Sequence, residues 1–346
     1  MWCFVCSLNA TTGTMLGLTL ALSIQKATAT PMFTEPRDST AATTRAVVLV
    51  PTCNPGPRWA AFWHALQAQD ARSVRVVVLD SETDDGSLVG LDATICTVHQ
   101  VRRATFNHGG TRQDGVDQFA MDAEFVVFLT QDAILAEPQT LTRLLAAFDD
   151  PRVAAVYGRQ LPHSDANPIA AHARRFNYPE EGHTLALADK EKKGLKTCFL
   201  SNSFAAYRVG ALHDAGGFAR DVILGEDMHL AARLLLAGHA IRYESSALVY
   251  HSHNYSLLEE FGRYFDTGVF HSRQDWLLQT FGAATGEGFK YVHSEFKFIL
   301  ENAFWRLPEV GVRTALKFAG YRLGRCHARW PRAFNRAVSM HKGYWA

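Results

Sequence analysis

The block Ala46-Val47-Val48-Leu49-Val50 is apolar at every position and stops at Pro51. An unbroken run of this kind suits a strand covered on both faces, so it predicts a central strand of a parallel sheet. Trp59, Phe62, Trp63 and Leu66 then recur at i, i+3, i+4 and i+7, the spacing of a helix that buries one face. A second buried strand spans 74–79 and closes on the polar turn Asp80-Ser81-Glu82-Thr83-Asp84-Asp85-Gly86. A helix over 111–120 leads to a third strand, 125–129, and Leu141, Leu144, Leu145 and Phe148 mark another helix. Repeated βα units predict a doubly wound α/β sheet.

The second half is more mixed. Residues 179–196 are polar and charged and read as a long mobile loop over a cleft. An extended segment covers 199–207, a short helix 209–215 stops at Gly216-Gly217, and a stronger helix 225–237 ends at Gly238. Short strands are expected at 241–243 and 247–250, and the chain beyond Ser256 is helical and aromatic.

Composition narrows the classes. The 346 residues hold 35 basic and 34 acidic side chains, a net charge of +1, which argues against a nucleic-acid binder because phosphate recognition leaves a basic excess. Six dispersed cysteines do not form a secreted disulfide framework, and Cys3-x-x-Cys6 lacks the further ligands of a zinc site. A reducing, cytoplasmic compartment follows. The apolar stretch 15–24 is shorter than the roughly 18 residues that span a bilayer and has no preceding Lys or Arg to make a signal peptide. Residues 1–44 are therefore read as a mobile extension.

In a doubly wound sheet, ligands bind beyond the carboxyl ends of the strands. Each predicted strand here ends in a polar cluster: Thr52-Cys53-Asn54, Asp80-Ser81 and Thr130-Gln131-Asp132. Each alone could be a turn or a helix cap, but three in register point to one cleft. Asp132 could hold a hard divalent cation, and His251 and His253, two apart after another strand, share a face from which imidazole could join around Mn²⁺, though Mg²⁺ prefers oxygen. Glu226-Asp227 opens the helix at 225–237, where carboxylates either favour the helix dipole or act as a general base. Gly109, Gly110 and Arg112 precede a helix and could cradle an anion such as a diphosphate, or form a plain capped loop.

Together these motifs resemble the inverting glycosyltransferases of family 2, from about residue 45 to 270. The resemblance implies an α/β GT-A fold over 45–270 as the catalytic domain, with a mostly helical, basic appendage at 271–346. It implies that Pro51, Thr52, Asn54, Asp80, Ser81, Gly109, Gly110, Arg112 and Gln131 contact a nucleotide-sugar donor. Thr130-Gln131-Asp132 stands where the family has Asp-x-Asp, so a metal site for Mg²⁺ or Mn²⁺ would rest on Asp132 with His251 or His253. Asp227, beside Glu226, would be the base. Phe106 to Arg112, Phe128 to Ala133, Tyr157-Gly158-Arg159-Gln160 and His251 to Ser256 look like bacterial rhamnosyltransferases within that family, which implies dTDP-L-rhamnose as donor and a glycan or lipid-linked acceptor. A metal-dependent nucleotide-sugar hydrolase and a non-catalytic glycan- or nucleotide-binding protein are the alternatives.

Between Arg306 and Lys342 the single acidic residue is Glu309, while Arg313, Lys317, Arg322, Arg325, Arg329, Arg332 and Arg336 recur. Such a stripe suits either the anionic inner face of the plasma membrane or a solvated helix, with Pro331 interrupting any continuous rod.

Overall fold

The computed structural model describes residues 45–283 and 286–346; the expectations for the amino-terminal extension, including Cys3 and Cys6, lie outside them. In chain order the described elements are β1 (Ala46–Thr52), α1 (Trp59–Gln67), β2 (Val74–Asp80), β3 (Cys96–Gln100), α2 (His108–Phe119), β4 (Phe125–Leu129), β5 (Ile134–Leu135), α3 (Thr140–Ala146), β6 (Val153–Leu161), α4 (Pro168–Asn177), β7 (His183–Leu185) and α5 (Lys190–Lys193). They continue with β8 (Phe204–Arg208), α6 (Val209–Asp214), α7 (Glu226–Leu236), β9 (Ala240–Tyr250), α8 (Leu257–Arg273), α9 (Asp275–Phe281), α10 (Glu287–Asn302), α11 (Leu307–Arg325) and α12 (Arg332–Val338).

The strands form one mixed sheet in the order β3-β2-β1-β4-β8-β6-β9-β5, with β7 on β9. β1 pairs in parallel with β2 and β4, and β2 with β3. β8 runs antiparallel to both β4 and β6, while β6 and β9 are parallel. β1, β2, β4, β6 and β9 therefore all end at the same edge of the sheet, and β8 begins there. Side-chain alternation divides β1 between two cores: Val47 and Leu49 pack with Val116 of α2 and Leu230 of α7, and Val48 and Val50 with Phe62 of α1 and Leu144 of α3. That three-layer arrangement covers both faces, as the unbroken apolar runs require.

Four local readings need correction. Segment 179–196 carries β7, α5 and short 3-10 turns, because His183–Leu185 finds an open edge on β9. The two expected strands at 241–243 and 247–250 are one strand, β9, whose pairing with β6 jumps from Gly158↔Glu244 to Arg159↔Leu248; the polar Glu244-Ser245-Ser246 is a bulge rather than a turn. α2 begins at His108, ahead of the expected residue 111, because Asn107 caps it by accepting from the Gly110 amide at 2.6 Å. The carboxyl-terminal basic stripe is also partly internal.

α8 and α11 cross closely because glycines face each other: a Cβ on Gly324 would lie 2.0 Å from the Phe265 carbonyl oxygen. This approach buries a charge cluster. Lys317 Nζ lies 3.1 Å from Glu260 on α8 and 3.7 Å from Glu295 on α10, and Arg313 donates to Glu260 at 2.7 Å. Arg313 and Lys317 are thus core residues, and α11 ends before Pro331, which starts α12. Removing one member of a buried ionic group leaves its partner uncompensated, at a cost of about 3–5 kcal/mol. Lys317→Ala should lower the free energy of urea unfolding by that amount, and a change below about 1 kcal/mol would show that the cluster is not a stabilising lock.

Candidate active site

The shared sheet edge explains how residues far apart in the chain meet. Two joined cavities open there, of about 700 and 200 Å³. Their sum lies within the usual range for small-molecule sites. The larger one is lined by Pro51, Thr52, Cys53, Ser81, Arg103, Gln131 and Asp132; the smaller by Asn202, Glu226, Asp227, Arg174 and Arg263. His108, Arg112, Thr130, Ser203, His251 and His253 line both.

Asp132 follows β4, and His251 and His253 follow β9. Asp132 Oδ2 is 3.5 Å from His251 Nε2 and 3.7 Å from His253 Nδ1, and one ligand-capable atom of each lies within 4.8 Å of the other two. The donor set suits a divalent transition ion. Two neighbours orient it. Gln160 at the end of β6 presents Oε1 to His251 Nδ1 at 2.8 Å, and that oxygen also accepts from Arg174. Because an arginine can only donate, the oxygen is an acceptor, so Nδ1 carries the proton and Nε2 keeps its lone pair toward Asp132. His163 binds the Asp132 carbonyl oxygen at 3.1 Å. Burial depresses the pKa of both ligand histidines, His253 to about 4, keeping them neutral.

In the smaller cavity, Gly225 in the left-handed region (φ 77°) opens α7 and sets Glu226 and Asp227 on its first turn. Arg112 Nη1 lies 3.2 Å from Glu226 Oε1, both buried. Asn202, just before β8, donates its side-chain amide to Glu226 at 3.1 Å and its backbone amide to Asp227 at 3.2 Å, while accepting from the Tyr207 hydroxyl at 2.6 Å. Burial would raise Glu226, but Arg112, His108 and Asn202 outweigh it and hold the carboxyl below its ordinary value. Asp227 goes the other way: burial, then the Glu226 charge, push it up to about 7. One carboxylate stays ionised and its neighbour is poised to exchange a proton near neutrality.

The remaining candidates divide. Pro51, Thr52, Ser81, Arg112 and Gln131 face a cavity. Gln131 also binds both the amide and carbonyl of Cys53, at 2.7 and 3.0 Å, locking β1 to β4. Asn54 and Asp80 do not line either cavity: Asn54 ties to Asp84, and Asp80 accepts from Thr83 and Gln100, so both brace the turn that carries Ser81. Gly109 and Gly110 lie inside α2, not before it; a Cβ on Gly109 would meet the Ala219 carbonyl oxygen at 1.8 Å. Gly109 permits that close approach, while Gly110 lies against the Asn107 cap, which already uses its amide. Sequence patterns did not single out Asn202, Arg174 or Arg263. A loop Asn has no period, and arginines on amphipathic helices look solvated.

A mixed sheet whose parallel strands end at one cleft, with a carboxylate and two histidines gathered there, is the arrangement of the GT-A glycosyltransferases. The model of the glycosyltransferase-like family 2 matches residues 44–264, and the chain belongs to that family. It is 44% identical over 299 residues to the O-antigen chain rhamnosyltransferase RfbN of Salmonella typhimurium, covering 86% of this chain and 95% of that one. It is 45% identical to WbaN of Salmonella anatum, an O-antigen chain rhamnosyltransferase, with the same coverage. The mannosyltransferase PcManGT of Pyrobaculum calidifontis, solved with GDP-Man and Mn²⁺, shares the fold at a TM-score of 0.51 and 20% identity, covering 87% of this chain and 84% of its own. The chain is a glycosyltransferase.

The raised Asp227 also affects stability. A carboxyl that holds its proton up to about pH 7 when folded but releases it near pH 4 when unfolded makes the folded state lose stability as pH rises between those values. Asp227→Asn removes that loss. The melting temperature of the variant minus that of the parent should therefore climb between about pH 4 and 7 and level off above; a difference independent of pH would mean Asp227 titrates normally.

Proposed function

We propose that the protein transfers L-rhamnose from dTDP-L-rhamnose to a lipid-linked glycan during cell-surface polysaccharide synthesis, with inversion at the anomeric carbon. The observation that carries this reading is that Asp227 shares a cavity with His251 and His253, whose ring nitrogens cluster with the Asp132 carboxylate. The two relatives named as O-antigen rhamnosyltransferases support the sugar and the acceptor class. In this reading Asp132, His251 and His253 hold the ion, and two imidazoles with one carboxylate suit Mn²⁺ better than Mg²⁺. Bound there, the ion would offset charge on the departing diphosphate. Asp227 accepts the proton of the acceptor hydroxyl, and Glu226 with Arg112 and Asn202 keeps it in place. Pro51, Thr52, Ser81 and Gln131 would meet the nucleotide, while Asn54 and Asp80 would act through the turn they brace.

Incubation with dTDP-rhamnose, Mn²⁺ and a lipid-linked acceptor should release dTDP together with a rhamnosylated product. Free rhamnose released equally without acceptor would instead identify a hydrolase. The parent's kcat/KM should rise with pH through an inflection near 7, as the base loses its proton. Asp227→Asn should keep donor binding, lower kcat by roughly a hundredfold or more and abolish that inflection. Near-parental turnover would remove Asp227 from the chemistry.

The reading extends to the membrane, by a different surface from the basic stripe. Among the described residues no helix is long and apolar enough to cross a bilayer. However, α10 and the turn after it expose Phe289 (82%), Phe296, Leu300, Phe304 and Trp305 (68%), with Lys297 between them. Aromatic side chains interleaved with lysine fit the interface of an anionic bilayer on the cytoplasmic side. α10 packs on α4 through His172 and Ser294, 2.9 Å apart, and Ala173 and Arg174 of α4 line the cleft. Phe289→Ser with Trp305→Ser should reduce co-sedimentation with phosphatidylglycerol vesicles at least tenfold while leaving dTDP binding intact. Unchanged sedimentation would refute this surface.

A further inference from the structure

Among the described residues, the fully buried arginines and lysine have carboxylate partners: Arg112 has Glu226, Arg313 has Glu260 and Glu309, and Lys317 has Glu260 and Glu295. Two half-buried arginines lining the smaller cavity break that pattern. Arg174, on α4, lies over the Tyr178 ring at 5.8 Å and donates one N–H to the neutral Gln160, while its Nε is buried without a partner among the described residues. Arg263, on α8, lies over the Tyr255 ring at 5.7 Å and reaches the Tyr255 hydroxyl at 3.5 Å. Among the described residues neither guanidinium has a carboxylate oxygen within 4.0 Å. Withdrawing two positive charges from water is costly when their direct contacts are aromatic faces and neutral acceptors and the Asp227 carboxylate reaches Arg263 only through space. The stacking rings hold the side chains against collapse and leave their donor edges unspent.

We propose that Arg174 and Arg263, which both line the smaller cavity, form a diphosphate-binding clamp that works with the Asp132-His251-His253 cluster, whose two histidines line both cavities. The ligand class follows from charge and shape. A single carboxylate would satisfy one guanidinium, whereas a diphosphate has enough charge and oxygen atoms to take bidentate contacts from both and still reach a metal ion. Gln160 links the two halves, since the oxygen that accepts from Arg174 is the one that fixes His251. This gives the Tyr157-Gly158-Arg159-Gln160 segment a role: it positions both the metal ligand and the clamp.

The inference rests on the transferase reading for its place in the reaction. The acceptor oxygen bonds to the anomeric carbon, its proton passes to Asp227, and the bond from that carbon to the β-phosphate oxygen breaks with its electron pair staying on the diphosphate. A guanidinium at that oxygen stabilises the charge as it develops. The same chemistry is present in a lipid diphosphate at the acceptor's reducing end, so two sources are open to one clamp.

The test uses the full chain and begins with inorganic diphosphate in the absence of any sugar. Arg174→Met with Arg263→Gln should weaken its binding by calorimetry at least tenfold, and Arg174→Lys with Arg263→Lys should recover part of the loss. In the unaltered protein, diphosphate should protect both arginines from modification by phenylglyoxal, read by mass spectrometry, which remains decisive if the double variant does not fold. Unchanged affinity in a folded variant, or equal modification with and without diphosphate, would overturn the clamp. Transfer assays then separate the sources. A loss shared by acceptors with and without a diphosphate assigns the clamp to the donor; a loss confined to diphosphate-bearing acceptors assigns it to the acceptor. Because binding is read without transfer, a failed clamp and a failed transferase assignment give different results.

Discussion

The Arg112–Glu226 ion pair is the contact on which the catalytic wall depends. It joins α2 to α7 at 3.2 Å in a buried setting, and Asn202 adds a third element by bonding Glu226 and Asp227 together. A lone buried carboxylate would take up a proton to escape desolvation, and then Asp227 would have no charged neighbour. With Arg112 in place, Glu226 remains ionised, and its charge adds to burial in raising Asp227 to about 7. The guanidinium therefore tunes a carboxyl that it does not touch. Gly109, three residues ahead of it, lies against the Ala219 carbonyl and near the Glu226 Cβ, where a side chain would not fit.

Sheet polarity does the rest of the assembly. Because β8 is inserted antiparallel between β4 and β6, the loop before it arrives at the edge where β1, β4, β6 and β9 finish. Asn202 is delivered by a strand's beginning, while Thr52, Asp132, Gln160 and His251 are delivered by strand ends. Residues separated by more than a hundred positions thus share one cleft without any long excursion of the backbone, the usual location for ligands in open α/β sheets.

What the sequence disclosed follows the same division. Strands covered on both faces were legible as unbroken apolar runs, and the polar residues that end them were legible as a shared cleft. Glu226-Asp227 stood out because a helix start is recognisable. Interactions set by tertiary approach were not. Arg313 and Lys317 look like members of a basic surface stripe until α8 brings Glu260, over fifty positions away, against them. β9 looked like two strands because the bulge at Glu244-Ser245-Ser246 is polar, and nothing local reveals that β6 runs beside it. Gly109-Gly110 suggested bare amides, but the Asn107 cap claims the Gly110 amide and crowds its Cβ position, and Gly109 lies against the Ala219 carbonyl.

The protein thus contains two kinds of buried charge, and the contrast separates the helical region from the cleft. In the helical region, Lys317, Arg313, Glu260 and Glu295 compensate one another, so their worth is structural and does not depend on anything bound. At the cleft, Arg174 and Arg263 meet rings and neutral acceptors, Asp132 meets neutral imidazoles, and Asp227 sits next to another carboxylate. Each of these arrangements is unfavourable in the empty protein and each improves with a particular addition: an anion, a cation and a proton. In the proposed reading those are the three species that a metal-assisted displacement at a sugar diphosphate brings together, so the cost carried by the free enzyme would be recovered when its substrates bind.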